Sequence, residues 1–425
     1  MVVAEVRTGR EQALRNVLAQ MNTGPGQADP GNRLLPFGRF EALHFARFAV
    51  LVDATHGDLA AHGQAPASLP TYLAFLGDCD GPGEQQLDEF ARVAPDGLGE
   101  VFAHCTGWPA ADGLAAWLRA RNVPVAAAYA NWTGRTARRV REERALAEAL
   151  GRRLRALDAP APGRLQALRA QLVDFVATER RQGRLRVTPD PPTPAGWWWR
   201  NLAHLVAIPL LGLLLLPVLL LYAPLFAWQL RSREKADPQI APPPALAHVA
   251  ELATFEDRGI TNAFTALGSV KPGRFRRVLV TVLVALLDYA ARHVYGRGHL
   301  TRVQTIHFAR WVFLDDKRRL LFASNYDGIL ESYMDDFINK VAWGLNLVFS
   351  NGVGYPRTNW LVQGGARDSQ AFKNYLRRHQ VANSVWYKAS PGLSAIDLAR
   401  HTRIREGLER ASMSDGEIED WLRSM

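Results

Sequence analysis

The string His-Phe-Ala-Arg occurs twice, at His44-Phe45-Ala46-Arg47 and at His307-Phe308-Ala309-Arg310. Its surroundings repeat with it. LHFARFAVLVD faces IHFARWVFLDD, YLAFLGDCDG faces RLLFASNYDG, and GLGEVFAHCTGWP faces GLNLVFSNGVGYP. Asp80/Asp327, Gly97/Gly344, Phe102/Phe349 and Pro109/Pro356 keep one offset, and upstream Val6, Gly9 and Arg10 match Val270, Gly273 and Arg274. The large length difference is the insert HGDLAAHGQAPASLP in the first copy, where a hairpin loop tolerates it. The period is far too long for a solenoid, so each copy is a domain-sized unit. A chain built this way folds as two similar units plus whatever joins them.

Each copy has the same element order. VVAEVR reads as a strand and GREQALRNVLAQMN as a helix, with Leu14, Val17 and Leu18 at helical spacing. FEALHFARFAVLVD and TYLAFLGDC follow as strands, GEQQLDEFARVA as an amphipathic helix and GEVFAHC as a strand. In the second copy ITNAFTALGSV, TRVQTIHFARWVFLD, RRLLFASNY and LNLVFS are the strands; GRFRRVLVTVLVALLDYAARHV and ILESYMDDFINKV are the helices. Alignment makes VLVTVLVALL a helix of a folded unit, too short for a membrane span and ending in Asp288. The pattern β-α-β-β-α-β is ferredoxin-like. A further helix and strand end each copy: GLAAWLRARNVPVAAAYANW matches QAFKNYLRRHQVANSVWYKAS. A ferredoxin-like sheet leaves one face open, and FARFAVLV is apolar on both faces, so two copies are expected to bury their open faces on each other. The expected fold is α+β: two tandem ferredoxin-like repeats closing an intramolecular α+β barrel, with a membrane-embedded helical insert between them.

That insert is LAHLVAIPLLGLLLLPVLLLYAPLFAW, free of Asp, Glu, Lys and Arg. About 20 such residues can span a bilayer. Trp197, Trp198, Trp199 and Trp228 sit at its ends as an interfacial belt, and both flanks are basic, with Arg200 before it and Arg231, Arg233 and Lys235 after it. Pro209, Pro217 and Pro224 interrupt it. Two packed repeats cannot lie on opposite sides of a membrane, so a re-entrant or interfacial hairpin is expected over a single tilted span, with both repeats on the cytoplasmic side. Residues 1–22 lack the apolar core of a secretory signal. The resulting division is 1–134 for the first repeat, 135–195 for a basic helical linker, 196–235 for the membrane segment, 236–260 for a second linker, 261–395 for the second repeat and 396–425 for C-terminal helices.

The net charge of +10 is spread over Arg-rich helices interleaved with Glu, such as TARRVREERALAEALGRRLRAL. Solvated helix faces or an anionic membrane surface account for it, and no nucleic-acid motif accompanies it. Cys79 and Cys105, the two cysteines of the chain, make neither a disulfide framework nor a zinc site. P-loop, Gly-x-Ser-x-Gly, His-Glu-x-x-His and Rossmann glycine patterns do not occur.

The repeated polar residues carry the chemistry. With Asp316-Lys317 as a two-residue turn, Leu314 faces Arg319, Arg310 faces Ala323 and His307 faces Tyr326. His307 and Tyr326 then share one face, while Arg310, Asn325 and Asp327 share the other. Arg310, among Phe308, Val312 and Leu314, needs a carboxylate or an anionic ligand, and His44 and Arg47 repeat the arrangement. Each residue also has a structural reading: His as a hydrogen-bonded core residue, Arg as half of an ion pair to the other copy, and Asp80-Gly81 and Asp327-Gly328 as cap and turn for the second helix of each copy.

Residues 1–134 and 261–395 resemble, in topology, the dimeric α+β barrel group that includes dye-decolourising peroxidases and chlorite-dismutase-like haem proteins. Gly77-Asp78-Cys79-Asp80-Gly81 is similar to the Gly-x-x-Asp-Gly motif of the peroxidases; Ser324-Asn325-Tyr326-Asp327-Gly328 lacks its first Gly. The resemblance implies haem, with Asp80 or Asp327 as distal acid/base and Arg47 or Arg310 beside it. His307, His379 and His401 are candidate iron ligands, His307 the first of them, with His44 and Tyr326 lining the cofactor. The expected function is a membrane-associated oxidoreductase of haem-peroxidase type. The alternative is a non-catalytic, membrane-anchored accessory protein binding a hydrophobic small molecule, with membrane lipid as partner in either case.

Overall fold

The computed structural model describes residues 1–65, 69–108, 113–157, 164–190, 192–295 and 303–425. Part of the insert after His56, Pro109 and the start of the TRVQ strand fall outside these ranges. The first half contains β1 (Val2–Glu5), α1 (Glu11–Ala19), the short ladder β2 (Asn22–Gly24) and β3 (Gln27–Ala28), β4 (Leu43–Leu51), β5 (Tyr72–Cys79), α2 (Gly83–Val93), α3 (Pro95–Phe102), α4 (Leu114–Ala120) and β6 (Ala127–Ala130). Five helices follow: α5 (Ala137–Arg155), α6 (Leu165–Arg181), α7 (Ala195–Leu214), α8 (Leu216–Ala236) and α9 (Leu246–Phe255). The second half has β7 (Thr261–Ser269), α10 (Arg274–His293), β8 (Ile306–Leu314), β9 (Arg319–Asp327), α11 (Leu330–Phe349), the short ladder β10 (Thr358–Asn359) and β11 (Gln363–Gly364), α12 (Ser369–His379), β12 (Asn383–Lys388), α13 (Ala395–Glu409) and α14 (Asp415–Arg423).

The class is α+β with antiparallel sheets. The two main sheets run β1-β5-β4-β12 and β6-β8-β9-β7. Each therefore takes its last edge strand from the other half of the chain: β12 pairs with β4, and β6 pairs with β8. The strings GEVFAHC and LNLVFS, read from sequence as closing strands, are helical instead. In α3, Leu98, Val101 and Phe102 are all buried, and in α11 so are Leu345, Val348 and Phe349. Spacings of three and four put each trio on one helix face, which a short run of β-branched and aromatic residues conceals. The strands that do close the sheets are those of the further helix-strand segment.

Alternation along the strands builds two kinds of core. Ala46, Phe48 and Val50 of β4 face α1, α2 and α3, and Phe48 stacks on Phe75 at 4.4 Å. Ala49 and Leu51 on the opposite face pack with Leu267, Val312, Leu314, Leu321 and Ala323 of the other sheet. The two sheets thus meet face to face, and both faces of β4 are buried, as its apolar stretch from Phe48 to Leu51 requires.

The hairpin of β8 and β9 has the expected turn: Arg318 N–H donates to Asp315 C=O at 3.0 Å, and Asp316 and Lys317 both have positive φ, the type I′ geometry. Leu314 faces Arg319 and Arg310 faces Ala323 as expected, but a bulge at His307 makes Ile306, not His307, the partner of Tyr326. The first copy has the same bulge at His44, between Leu43 and Phe45. A bulge adds one residue to a strand and re-aims its side chain.

The basic segment 135–195 and the C-terminal helices, read separately from sequence, pack as one helical unit. Leu146, Leu150, Leu168 and Leu172 of α5 and α6 share a core with Ile404, Ile418 and Trp421 of α13 and α14. The apolar insert forms α7 and α8, bent by 66° at Leu215, and among the described residues no single helix is long and apolar enough to cross a membrane. Both feet of this bent pair rest on α10. Near one end, the Tyr289 hydroxyl donates to His204 C=O at 2.7 Å and His293 meets Asn201 at 2.7 Å. At the other, Phe226 packs on Phe275 and Leu230 joins Leu279 and Leu361. Glu234, fully buried, fixes that foot by accepting from Trp360 N–H, Leu361 N–H and Thr358 Oγ1.

Candidate functional site

The two bulges turn His44 and His307 toward aspartates at the ends of the neighbouring strands. His44 Nε2 lies 2.9 Å from Asp80 Oδ1, and His307 Nε2 lies 2.7 Å from Asp327 Oδ1. The second oxygen of each aspartate accepts a helix-terminal amide: Asp80 from Ala137 of α5 at 2.8 Å, and Asp327 from Ala395 of α13 at 2.6 Å. The aspartates are caps, as one sequence reading had it, but of helices distant in sequence rather than of α2 and α11. Gly81 and Gly328 have φ of +77° and +88°, which glycine alone takes without strain.

The arginines point the other way, between the sheets. Arg310 donates to Gly77 C=O at 3.0 Å and forms an ion pair with Asp78, while Asn325 Nδ2 donates to the other oxygen of Asp78 at 2.8 Å. Arg47 reaches Phe264 C=O at 2.8 Å, Thr265 Oγ1 at 3.1 Å, Ser324 C=O at 3.2 Å and the Asn325 side-chain carbonyl. Asp78 and Asn325 occupy the same position of the repeat, so each arginine crosses to the other copy. Only Arg310 finds a carboxylate there. Arg47 is held by neutral acceptors, and burial pushes its pKa down to about 10.

Between the two bulges lies a cleft with an empty volume of about 550 Å³, its open mouth included. His44, Phe45, His307 and Phe308 form its floor, with His44–Phe308 and Phe45–His307 ring centroids each 5.4 Å apart. Its walls pair off by repeat position. Arg135, just before the Thr136 cap of α5, corresponds to Leu393, just before the Ser394 cap of α13; Val140 corresponds to Leu398. Of the sequence candidates, the structure gathers His44, His307, Asp80 and Asp327 here. Arg47 and Arg310 lie between the sheets, and Tyr326 is buried against Tyr333 at 4.0 Å.

His379 and His401 are elsewhere. His379 Nδ1 lies 2.8 Å from Tyr375 C=O, leaving Nε2 buried without a partner. That bond pattern suits an axial ligand, but Nε2 is packed on β7, where a Cβ added at Gly268 would come within 3.0 Å of it. The charged groups around the ring are Asp53, Asp58 and Arg378, not a repeated Asp-Gly or a repeated Arg. His401 lies in α13, buried, its Nδ1 without a partner. His307 has its Nε2 on Asp327. The distal acid, its arginine and an axial histidine therefore do not face one open slot, and the residues present do not fit haem. Among the described residues, no three His, Cys, Asp or Glu side chains converge as a metal-binding group.

Sequence reasoning placed Asn325 on the face of Arg310 but gave it no role, and it passed over Asp78 and Arg135. Strand parity could have found Asp78, which shares the face of Arg47 across the first hairpin. Arg135 has a fainter signal, an arginine beside a helix cap where the second copy has leucine. No protein-family model, no curated protein and no solved structure matches the chain.

Proposed function

We propose that the chain is a membrane-anchored accessory protein that takes a hydrophobic small molecule from the bilayer into the cleft between its two halves. In this reading the halves are tandem ferredoxin-like repeats that close an intramolecular α+β barrel, each completed by the other's last strand. The observation that carries it is the bent pair of α7 and α8, exposed on every face along its middle, with Leu214 and Leu221 each 75% exposed. A soluble surface rarely leaves such a patch uncovered.

The geometry of the bend favours a monotopic anchor. From His204 to Leu215 and from Leu215 to Phe226 each leg is about 16 Å at 1.5 Å per residue. With a 66° bend, the apex stands roughly 9 Å above the line joining the feet, within the ~5–10 Å burial of interfacial helices and short of the ~30 Å hydrocarbon core. Val278, Val282 and Leu286 of α10, each at least half exposed, extend the apolar surface between the feet. Arg200 and Lys235 flank it for contact with anionic headgroups.

Vesicle flotation tests the reading. The full chain is expected to float with phosphatidylcholine/phosphatidylglycerol vesicles, and Leu214→Asp/Leu221→Asp to remain at the bottom of the gradient with unchanged circular dichroism. Wild-type protein that stays at the bottom refutes the anchor.

A further inference from the structure

The cleft is nearly symmetric in its floor and asymmetric in its walls. His44 and His307 correspond, as do Phe45 and Phe308, but Arg135 stands against Leu393. One end therefore carries a cation and the other is aliphatic.

Arg135 is 8% exposed. Its one hydrogen bond goes from NH2 to Thr402 Oγ1 at 2.9 Å, and its Nε is buried without a partner. No carboxylate lies within ion-pair distance of it among the described residues. The nearest anion in its network is Glu143, reached only through the Thr402 hydroxyl at 2.7 Å, and Glu143 already binds Arg139 Nε at 2.6 Å. Asp80 and Asp327 are each committed to a histidine and a helix amide. Trp132 lies under the guanidinium, 4.1 Å from its centre, and holds it in place. Burial pulls the Arg135 pKa down to about 10, so the group keeps its charge at neutral pH at a desolvation cost. An arginine this buried, whose one side-chain hydrogen bond among the described residues goes to a neutral hydroxyl, is suited to receive an oxyanion.

We infer that the cleft binds a small anionic amphiphile, its oxyanion head on Arg135 and its apolar body between Phe45, Phe308, Leu393 and Leu398. This rests on the accessory-protein reading and narrows its ligand. The shared chemistry is an oxyanion on a short apolar body, either a carboxylic acid or an alkyl phosphate.

Calorimetric titration of the full chain in phosphatidylcholine nanodiscs tests it with hexanoate, hexyl phosphate, hexanol and inorganic phosphate. At least one of the two amphiphilic anions is expected to bind with 1:1 stoichiometry, at least tenfold tighter than hexanol and than inorganic phosphate; whichever of the two wins identifies the head. Arg135→Leu, which copies the other end of the cleft, should erase the preference over hexanol. Arg135→Gln, which keeps a donor for Thr402, should do the same and guards against misfolding. Leu398→Trp should weaken the amphiphile and leave inorganic phosphate unchanged. Equal binding of hexanol and both anions, or an anion preference that survives both Arg135 variants, overturns the inference while leaving the binding reading intact. Inorganic phosphate binding as tightly as hexyl phosphate overturns the amphiphile.

Discussion

Replacing Asp78 by Asn tests how the sheet interface is held. Asp78 is 8% exposed, accepts from Asn325 Nδ2 at 2.8 Å and is, among the described residues, the carboxylate ion-paired to Arg310. The substitution leaves Arg310 charged and mostly shielded, its side chain 12% exposed, next to Arg47, with the Gly77 carbonyl and a neutral amide oxygen. Breaking a buried pair from one side costs about 3–5 kcal/mol, mostly the desolvation of the charge left behind. With a urea m-value of about 3 kcal/mol/M, that lowers the midpoint by about 1–1.7 M. Unfolding should be followed by near-UV circular dichroism in mild detergent. Replacing both partners, Asp78→Leu with Arg310→Met, should recover most of the loss, because two apolar side chains leave no orphan charge. An Asp78→Asn midpoint within about 0.2 M of wild type, a change below ~0.6 kcal/mol, would show that the pair is not what holds the sheets, and a double variant no better than the single one would refute the orphan-charge reasoning.

Asn325→Asp should also destabilise, since it replaces the donor to Asp78 with an acceptor and sets two carboxylates about 2.8 Å apart; a rise in melting temperature would contradict this. Gly97→Ala should cost about 3 kcal/mol or more, because its Cβ would fall 1.9 Å from the Leu34 carbonyl oxygen, whereas the repeat-equivalent Gly344→Ala meets nothing within 4 Å and should add about 0.5–1 kcal/mol by helix propensity alone. Burial depresses the pKa of His379 and His401 below 6.5; on acidification through that value the unfolded chain takes up protons the folded one does not, so stability should fall from pH 7 to pH 5.5, and His379→Gln should flatten the slope by up to one proton, about 1.4 kcal/mol per pH unit. Residues 245–425 alone lack β6, so light scattering should show oligomers paired through the open edge of β8; a clean monomer would make the exchanged strand dispensable.

What the chain wrote plainly was equivalence. Matching His44 to His307 and Asp80 to Asp327 located both hairpins, and apolar alternation placed Arg47 and Arg310 on the faces that meet. The bulges were not legible, because a single extra residue changes parity without changing composition. The exchange of β6 and β12 was hidden for a different reason. Hydrophobic pattern records that a strand is buried and is silent on which sheet receives it. The helical fate of GEVFAHC and LNLVFS was ambiguous at that length, since strands and helix ends share valine and phenylalanine. In the cleft, the histidines and aspartates could be picked out because they repeat; Arg135 was overlooked because it does not.

The exchanged strands also set an order in time. The sheet of β1, β5 and β4 stays incomplete until β12 leaves the ribosome roughly 300 residues after β5, on the order of 15–60 s at ~5–20 residues per second. Throughout that interval the edge of β4 is unpaired, and the apolar bend of α7 and α8 emerges before either half can close. If the bend anchors the chain as proposed, a nascent chain that reaches a bilayer would be tethered while both halves are still open, and the membrane would act as the surface on which the two sheets find each other.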